Sequence, residues 1–193
     1  MMSRRPALIA AAVVLALAGA WFLFVVVPRW YAPTAPSPSA SAAAPAATAE
    51  RKITATLYYV SEDGLSLAGV KREVPFGEPV VEQARRIVEA QLGAAPAPLA
   101  SAIPEGTTLR ALFLTERGDA FVDLSAEVST KHTGGSLDEL FTVYTIVDAL
   151  TVNLPAIERV QILVDGKEVD TIAGHVDLRH PLQKSLKWVT GTQ

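Results

Sequence analysis

The sequence predicts an α+β protein, with a single two-layer domain in which two helices pack on one face of a mixed or antiparallel sheet. An N-terminal transmembrane helix and a disordered linker precede this domain. Three observations lead to this prediction. Residues 7–27 form an uncharged apolar run, and residues 32–49 contain only Ala, Pro, Ser and Thr. From residue 51 to 189, β-branched segments alternate with two segments of helical periodicity, the pattern of a sheet covered by helices.

The apolar run at 7–27 is predicted to be a transmembrane signal anchor. As a helix it reaches ~31 Å, close to the ~30 Å hydrocarbon core of a bilayer. Arg4 and Arg5 precede it without any acidic residue, which places residues 1–6 in the cytoplasm and the rest of the chain outside it. A cleaved signal peptide is the alternative, with a small-residue site at 17–20, but the apolar run continues past that site to residue 27. We therefore expect a single-pass protein of the cytoplasmic membrane.

Residues 28–50 are predicted to be a linker, because residues 32–49 lack the large apolar side chains that offset the entropy of ordering. The chain has no cysteine, which excludes a lipid-bearing cysteine, disulfides and thiolate chemistry. From residue 50 onward, 14 Lys and Arg face 20 Asp and Glu, a formal charge of −6 (14 − 20). Without a basic stripe, no nucleic-acid partner is expected.

The first half of the domain, 51–189, is predicted to contain a hairpin and a helix. Residues 53–60 alternate so that Tyr58 lies opposite the apolar face and is exposed, and a turn at 61–64 leads to a second strand at 67–74. Pro79 suits the first position of a helix, and Gly93 ends its apolar stripe. A Pro- and Ala-rich connection follows at 94–106.

The second half is predicted to contain a hairpin, a longer helix and a second hairpin. Strands at 108–114 and 120–124 flank a turn, and a polar loop occupies 125–135. Ser136 and Glu139 are spaced as a capping box, and Asn153 and Pro155 end the helix. A strand at 159–164 then turns back through 165–166 (Asp-Gly, a type I′ signal) into 168–172, and residues 190–193 form a tail.

In this order, the segments resemble the GerMN domain, a family named for sporulation and spore germination. The resemblance covers about residues 53–182. It rests on 57–59 (LYY), 102–107 (AIPEGT), 122–125 (VDLS), 160–167 (VQILVDGK), 174–178 (GHVDL) and 181–182 (PL).

The resemblance implies a small α+β module tethered outside the cytoplasmic membrane, acting in assembly or interaction without known catalysis. Some relatives carry two copies of the domain, whereas this chain has room for one. We therefore expect a non-enzymatic protein-interaction module of the cell envelope. Its partners are other envelope proteins and, through residues 7–27, the lipid bilayer. A ligand- or cell-wall-polymer-binding module is the alternative, although no small-molecule ligand, cofactor, metal or catalytic residue is predicted.

Three sets of residues have side chains suited to chemistry, but their patterns favour a structural role. Asp123, Ser125 and His132 have the residue types of a nucleophilic triad, but no Gly-x-Ser-x-Gly elbow surrounds the serine. The adjacent acids at 138–139 do not face each other on a helix, and residues 62–64 (Glu-Asp-Gly) offer too few oxygen ligands for calcium.

The C-terminal part holds the remaining candidates. His175, Asp177 and His180 are possible metal ligands, but the last of them needs a turn to join the others. Residues 184, 187 and 188 (Lys, Lys and Trp) either bind a partner or cover the sheet. The last candidate surface is an outer strand edge, to which a partner would add a strand by β-augmentation.

Overall fold

The computed structural model describes Trp21 and residues 51–190. The predicted linker and the rest of the predicted span lie outside the described residues. Within that part of the chain, no helix is long and apolar enough to cross a bilayer. Its elements are β1 (Lys52–Val60), β2 (Leu67–Pro75), α1 (Val80–Leu92), β3 (Leu109–Leu114), β4 (Asp119–Leu124), α2 (Glu127–Thr130), α3 (Ser136–Asn153), β5 (Arg159–Val164), β6 (Lys167–Glu168), β7 (Leu182–Gln183), a 3-10 helix (Leu186–Trp188) and β8 (Val189–Thr190).

The first sheet consists of the predicted hairpin and a short C-terminal strand, in the order β1-β2-β8. β1 and β2 pair antiparallel along their whole length, and β8 joins β2 in parallel through Leu67 and Ala68. The turn is fixed by Asp63, whose carboxylate accepts the Ser61 hydroxyl and the Leu65 N–H. Both strands are thus confirmed within one residue at each end.

The prediction that Tyr58 is exposed is wrong. The side chain is only 3% exposed, and its neighbours Leu57 and Tyr59 are buried as well. Alternation predicts a solvated face only when nothing covers it, whereas here both faces of β1 are covered between 57 and 59. The ring of Tyr58 lies beside Gly69 of β2 and close enough to Asp148 of α3 for that carboxylate to influence its pKa.

The second sheet contains five strands, in the order β3-β4-β5-β6 with β7 also paired to β5. β3 and β4 form the predicted antiparallel hairpin, and β4 and β5 are parallel, connected by way of α3. Asp165 and Gly166 have φ angles of 51° and 74°, both positive, as the predicted type I′ turn requires. The following strand is shorter than predicted, because β6 includes only Lys167 and Glu168.

The prediction of a single sheet with helices on one face is wrong, because the strands form two sheets. Helix α3 packs against β1 of the first sheet and β5 of the second, and α1 contacts β1, β2 and β3. A helix between two sheets must be buried on more than one side. This explains why the buried residues of α3 include polar ones outside the predicted stripe: Glu139, Thr142, Thr145 and Asp148.

The helix ends are confirmed, but the predicted capping box is wrong. α1 follows Pro79 and ends before Gly93, and α3 spans the predicted residues up to Asn153. Gly135 occupies the N-cap position of α3, and no side chain caps this end. Glu139 is fully buried and binds a distant segment instead.

The last part of the domain, residues 169–190, contains little regular structure and is held by side chains. The Gln161 amide donates to the Leu178 carbonyl, and the Ser129 hydroxyl donates to the Ile172 carbonyl at 2.6 Å. Ser129 lies in α2, a helix of one turn within the segment predicted as loop. The C-terminal segment therefore belongs to the folded domain although its sequence has no clear periodicity.

Candidate functional site

A cleft of about 530 Å³ opens beside the end of β1. Three segments surround it: residues 100–105, residues 131–133, and the first turns of α3 with Asp138 and Phe141. Ile103 and Phe141 are buried and give the cleft an apolar wall, while Glu105, Lys131 and Asp138 are exposed and charged. An apolar wall with a few polar groups at the rim is the usual composition of a binding site.

The connection 100–105 is held in one conformation despite its Ala- and Pro-rich sequence. Ala100 and Val60 exchange backbone hydrogen bonds of 2.8 and 3.1 Å. The hydroxyl of Ser101 accepts the Ile103 N–H and donates to the carbonyl of the same residue. The cleft wall is therefore an ordered extension of the first sheet.

His132 links the three segments around the cleft. Its Nδ1 accepts the Gly134 N–H at 3.0 Å, so in the neutral ring the proton resides on Nε2. Nε2 then donates to the Thr142 hydroxyl at 3.1 Å, and that hydroxyl donates to the Ala102 carbonyl at 2.6 Å. Both ring nitrogens are thus occupied by structural hydrogen bonds.

The charged rim of the cleft is also partly fixed. The Lys131 ammonium donates to the Glu105 carbonyl at 3.3 Å. It covers Gly106, whose φ of +85° requires glycine, and a Cβ there would lie 2.9 Å from the ammonium. The rim of the cleft therefore carries two carboxylates, from Glu105 and Asp138, and one ammonium group, from Lys131.

The structure does not bring the Asp123, Ser125 and His132 set together. Asp123 accepts the Gly166 N–H at 2.7 Å and the Arg110 guanidinium at 3.2 Å. Ser125 accepts the Thr108 N–H at 3.0 Å, whereas His132 binds residues of the cleft. Asp123 and Ser125 therefore hold strand ends, through partners that lie far from them in the sequence.

The His175, Asp177 and His180 set is also divided among other partners. The Nδ1 of His175 lies 3.2 Å from Glu139, and Asp177 forms a two-pronged pair with Arg179. Hydrogen bonds from the Arg179 side chain and backbone hold the pKa of Asp177 well below its usual range. Over residues 51–190, no cluster of three His, Cys, Asp or Glu side chains is arranged to hold a metal.

Glu139 was predicted to belong to a capping box, but its carboxylate holds a distant segment of backbone instead. Its two oxygens accept the backbone N–H groups of Ile172, Ala173 and His175 at 2.7–2.8 Å. Burial raises the pKa of Glu139, but these donors and the His175 ring lower it more, so the pKa lies below that of an ordinary glutamate. The neighbouring Asp138 is exposed, so the adjacent acids do not form a pair.

Asp148, in the second half of α3, is a buried carboxylate that the sequence did not indicate. It is fully buried; Oδ1 accepts the Ser185 N–H at 2.9 Å, and Oδ2 has no hydrogen-bond partner among the described residues. Burial raises the pKa of Asp148 to about 6, although the Ser185 N–H and the charge of Lys184 oppose this. Lys184, one of the residues weighed for partner binding, thus lies near a buried acid. Trp188 is 38% exposed.

A family model matches residues 56–170 of the chain, which is more than half of its 193 residues. The chain belongs to the Germane family. The family is described as sporulation and spore germination, which confirms the resemblance found in the sequence motifs. The cleft segment 102–107 and the Asp-Gly turn both lie within the matched range.

Solved structures similar to this Germane domain confirm the α+β fold. A presumed lipoprotein from Clostridium perfringens aligns with a TM-score of 0.51 at 23% identity, over 69% of this chain and 88% of that one. The first GerMN domain of the sporulation protein GerM from Bacillus subtilis aligns with a TM-score of 0.52 at 20% identity, over 70% and 98%.

The tandem GerMN domains of the same Bacillus subtilis protein give a TM-score of 0.55 at 20% identity. The alignment covers 70% of this chain and 46% of that structure, so the Germane domain spans about half of the tandem unit. No curated protein matches the sequence. At these identities the structures show the fold alone.

Proposed function

We propose that this chain is a membrane-anchored, extracytoplasmic Germane domain that acts as a protein-interaction module of the cell envelope. The observation that carries the proposal is the cleft of about 530 Å³ beside residues 100–105. Its walls are fixed by hydrogen bonds between three separate segments, and the one imidazole at the cleft uses both nitrogens for those bonds. A rigid surface with an apolar wall suits recognition of a preformed partner.

The anchor at 7–27 and the linker at 28–50 support the location. In this proposal the helix stays in the cytoplasmic membrane and the domain is held on the outer side. Fractionation of a tagged full-length chain, followed by protease treatment of intact spheroplasts, tests both points. Recovery of a shortened chain in the soluble fraction would contradict the anchor.

The binding role is tested by crosslinking the full-length chain in its own membrane and identifying the co-purified envelope proteins. Glu105→Arg with Thr133→Arg places two cations and two bulky side chains at the cleft rim. Glu116→Arg, at the exposed tip of the β3–β4 turn, is the matched control. We expect the rim variant to lower recovery of the partner at least tenfold and the control to leave it unchanged. Recovery of the wild-type chain alone, or equal loss in both variants, would contradict the proposal.

The second candidate function is binding of a ligand or a cell-wall polymer in the same cleft. The combination of the Phe141 wall with two rim carboxylates favours it, since a polymer with hydroxyl and amine groups can contact both. Residues 50–193 mixed with purified cell-wall material should then sediment with it, and the rim variant should not. A domain that stays in the supernatant excludes this alternative.

A further inference from the structure

Residues 182–190, the C-terminal strap, connect the two sheets. At one end, Leu182 and Gln183 form β7 and pair with β5 of the second sheet. At the other end, Val189 and Thr190 form β8 and pair with β2 of the first sheet. Between its two ends the strap binds α3, the helix that contacts both sheets.

The strap is held by short ladders and by partly buried side chains. Each of its strands is two residues long, and the Thr190 hydroxyl donates a hydrogen bond to the Leu67 carbonyl at 3.2 Å. Its apolar side chains, Leu182, Leu186 and Val189, are only partly buried against the core. A segment with these properties opens locally at a lower free energy than the core strands do.

The middle of the strap is fastened to α3 at a buried acid. The Ser185 N–H donates to Oδ1 of Asp148 at 2.9 Å. Asp148 is fully buried, and its Oδ2 has no hydrogen-bond partner among residues 51–190. A buried oxygen without a donor costs more free energy in a charged carboxylate than in a neutral carboxyl group. This arrangement therefore favours the protonated acid.

Glu139, earlier in the same helix, shows what a buried carboxylate requires. It is also fully buried, but it accepts three backbone N–H groups and contacts the His175 ring. These donors hold the pKa of Glu139 below that of an ordinary glutamate, whereas burial raises the pKa of Asp148 to about 6. Asp148 therefore gains its charge at a higher pH than Glu139 does.

The ionisable groups that face Asp148 belong to β1, α3 and the strap. Tyr58 of β1 and Tyr144, one turn earlier in α3, lie near enough for the Asp148 charge to raise their pKa values, as burial also does. Lys184 of the strap favours the carboxylate. Because both phenols stay neutral between pH 5 and pH 8, Asp148 is the group of this cluster that titrates in that range.

The charges of the other elements that contact α3 have partners of their own or are exposed. β7 has no ionisable side chain, and the one in β5, Arg159, binds Asp119 at 2.7 Å. In α1, Glu89 is exposed, and the other charged side chains pair with one another: Glu82, Arg85 and Arg86.

We propose that Asp148 and the strap form a pH-sensitive latch, in which loss of the Asp148 proton releases residues 182–190 from α3 and from β2. In the open state, water reaches the carboxylate and supplies the missing donor. The edge of β2 at Leu67 and Ala68, which β8 covers, becomes free. This device goes beyond the proposed cleft function and lies in a different part of the domain.

Hydrogen exchange of the full-length chain, in detergent or in nanodiscs, measures the opening of the strap. The closed strap binds the proton more tightly than the open one, so the opening equilibrium rises with pH. With an ordinary aspartate in the open state, this rise is roughly tenfold between pH 5 and pH 8. We expect the protection factors of the strap amides, corrected for intrinsic exchange, to fall by that factor.

Asp148→Asn is the matched control, because its amide keeps an acceptor for the Ser185 N–H and cannot ionise. In this variant the protection factors of the strap should be the same at pH 5 and pH 8. No fall in wild type, or an equal fall in both chains, would overturn the proposal. Strap amides that are protected as strongly as those of β4 would also overturn it, since the strap would then open only when the whole domain unfolds.

Two charge reversals in the strap give a second test that leaves the buried site intact. Lys184→Glu removes the cation that favours the Asp148 carboxylate, and Lys187→Glu makes the same change at an exposed position of the 3-10 helix. At low ionic strength, Lys184→Glu should lower the protection at pH 8 relative to pH 5 more than Lys187→Glu does. Equal ratios in the two variants would show that the strap does not respond to the charge of Asp148, and would overturn the proposal.

Discussion

The side-chain amide of Gln91 binds the backbone of Tyr58 in the way that a neighbouring strand would. Its Oε1 accepts the Tyr58 N–H at 2.9 Å, and its Nε2 donates to the Tyr58 carbonyl at 2.6 Å. Asn153, at the end of α3, repeats this arrangement at Thr56, with distances of 2.8 and 2.7 Å. Two helices thus close the edge of the first sheet without contributing a strand.

Replacing Gln91 by Leu should destabilise the domain. The variant leaves a buried N–H and a buried carbonyl of Tyr58 without partners, and such groups cost about 1–3 kcal/mol each. We expect the free energy of unfolding to fall by roughly 2–4 kcal/mol in urea titrations. Glu89→Ala, on the exposed side of the same helix, is the control and should change it by less than about 0.5 kcal/mol. Equal stabilities of the two variants would contradict the role of Gln91.

Replacing Glu139 by Gln should loosen the segment 172–175. The amide keeps one acceptor oxygen but turns a donor toward the backbone N–H groups that the second carboxylate oxygen accepts. We expect a loss of about 2 kcal/mol or more at pH 7 and faster hydrogen exchange at Ile172, Ala173 and His175. Asp138→Asn, one residue earlier and exposed, should leave both measurements unchanged.

The acid side of the stability curve should depend on Glu139. Because its pKa in the folded state is below the unfolded value of about 4.3, its contribution is complete above that pH and is lost as the pH falls through the folded pKa. Urea titrations between pH 3 and 6 should show wild type losing stability more steeply than Glu139→Gln. Parallel curves would show that Glu139 does not control acid unfolding.

Asp148 should make the domain less stable as the pH rises, the opposite of the dependence expected for Glu139. Its pKa is raised to about 6 in the folded state, so the contribution to stability is complete below the unfolded pKa of about 3.9 and is lost as the pH rises through 6. Asp148→Asn keeps an acceptor for the Ser185 N–H without the buried charge. We expect it to be more stable than wild type by about 2 kcal/mol at pH 8 and by much less at pH 5. Asp170→Asn, an exposed site, should show no such difference between the two pH values.

Two turn glycines offer a matched comparison of backbone strain with steric contact. Gly64 and Gly118 have φ angles of +72° and +79°, so alanine is strained at both positions. A Cβ at Gly64 meets nothing within 4 Å, whereas a Cβ at Gly118 would lie 3.0 Å from the Ala156 carbonyl oxygen. Thermal unfolding should show a cost of about 1 kcal/mol for Gly64→Ala and clearly more for Gly118→Ala. Equal costs would mean that the 155–158 segment moves aside freely.

The sequence predicted most strand and helix boundaries because their signals are local. The Asp165-Gly166 turn, Pro79 and Gly93 each determine backbone conformation within a few residues. The structure has the turn and Gly93 where expected, and Pro79 lies one position before the first helical residue. The number of sheets was not predictable in this way. It depends on α3 packing against β1 and β5, elements that are far apart in the chain.

The buried polar contacts could not be predicted either, because their partners are far apart in the chain. Gln91 and Tyr58 are 33 residues apart, as are Glu139 and Ile172, and Asn153 and Thr56 are 97 apart. An acid in the first turn of a helix resembles a capping residue, and only the position of the C-terminal segment shows that Glu139 binds elsewhere. The cleft depends on the same kind of long-range pairing, through Thr142 and Ala102.

The extent of the family match has a practical consequence for any shortened version of the chain. The match ends at residue 170, but the N–H groups that bind Glu139 belong to residues 172, 173 and 175, and the one that binds Asp148 belongs to residue 185. A recombinant fragment trimmed to the homology limits would keep both acids and discard every backbone donor they bind. Domain borders drawn from sequence comparison alone therefore divide this folding unit, and a faithful excision has to extend to about residue 190.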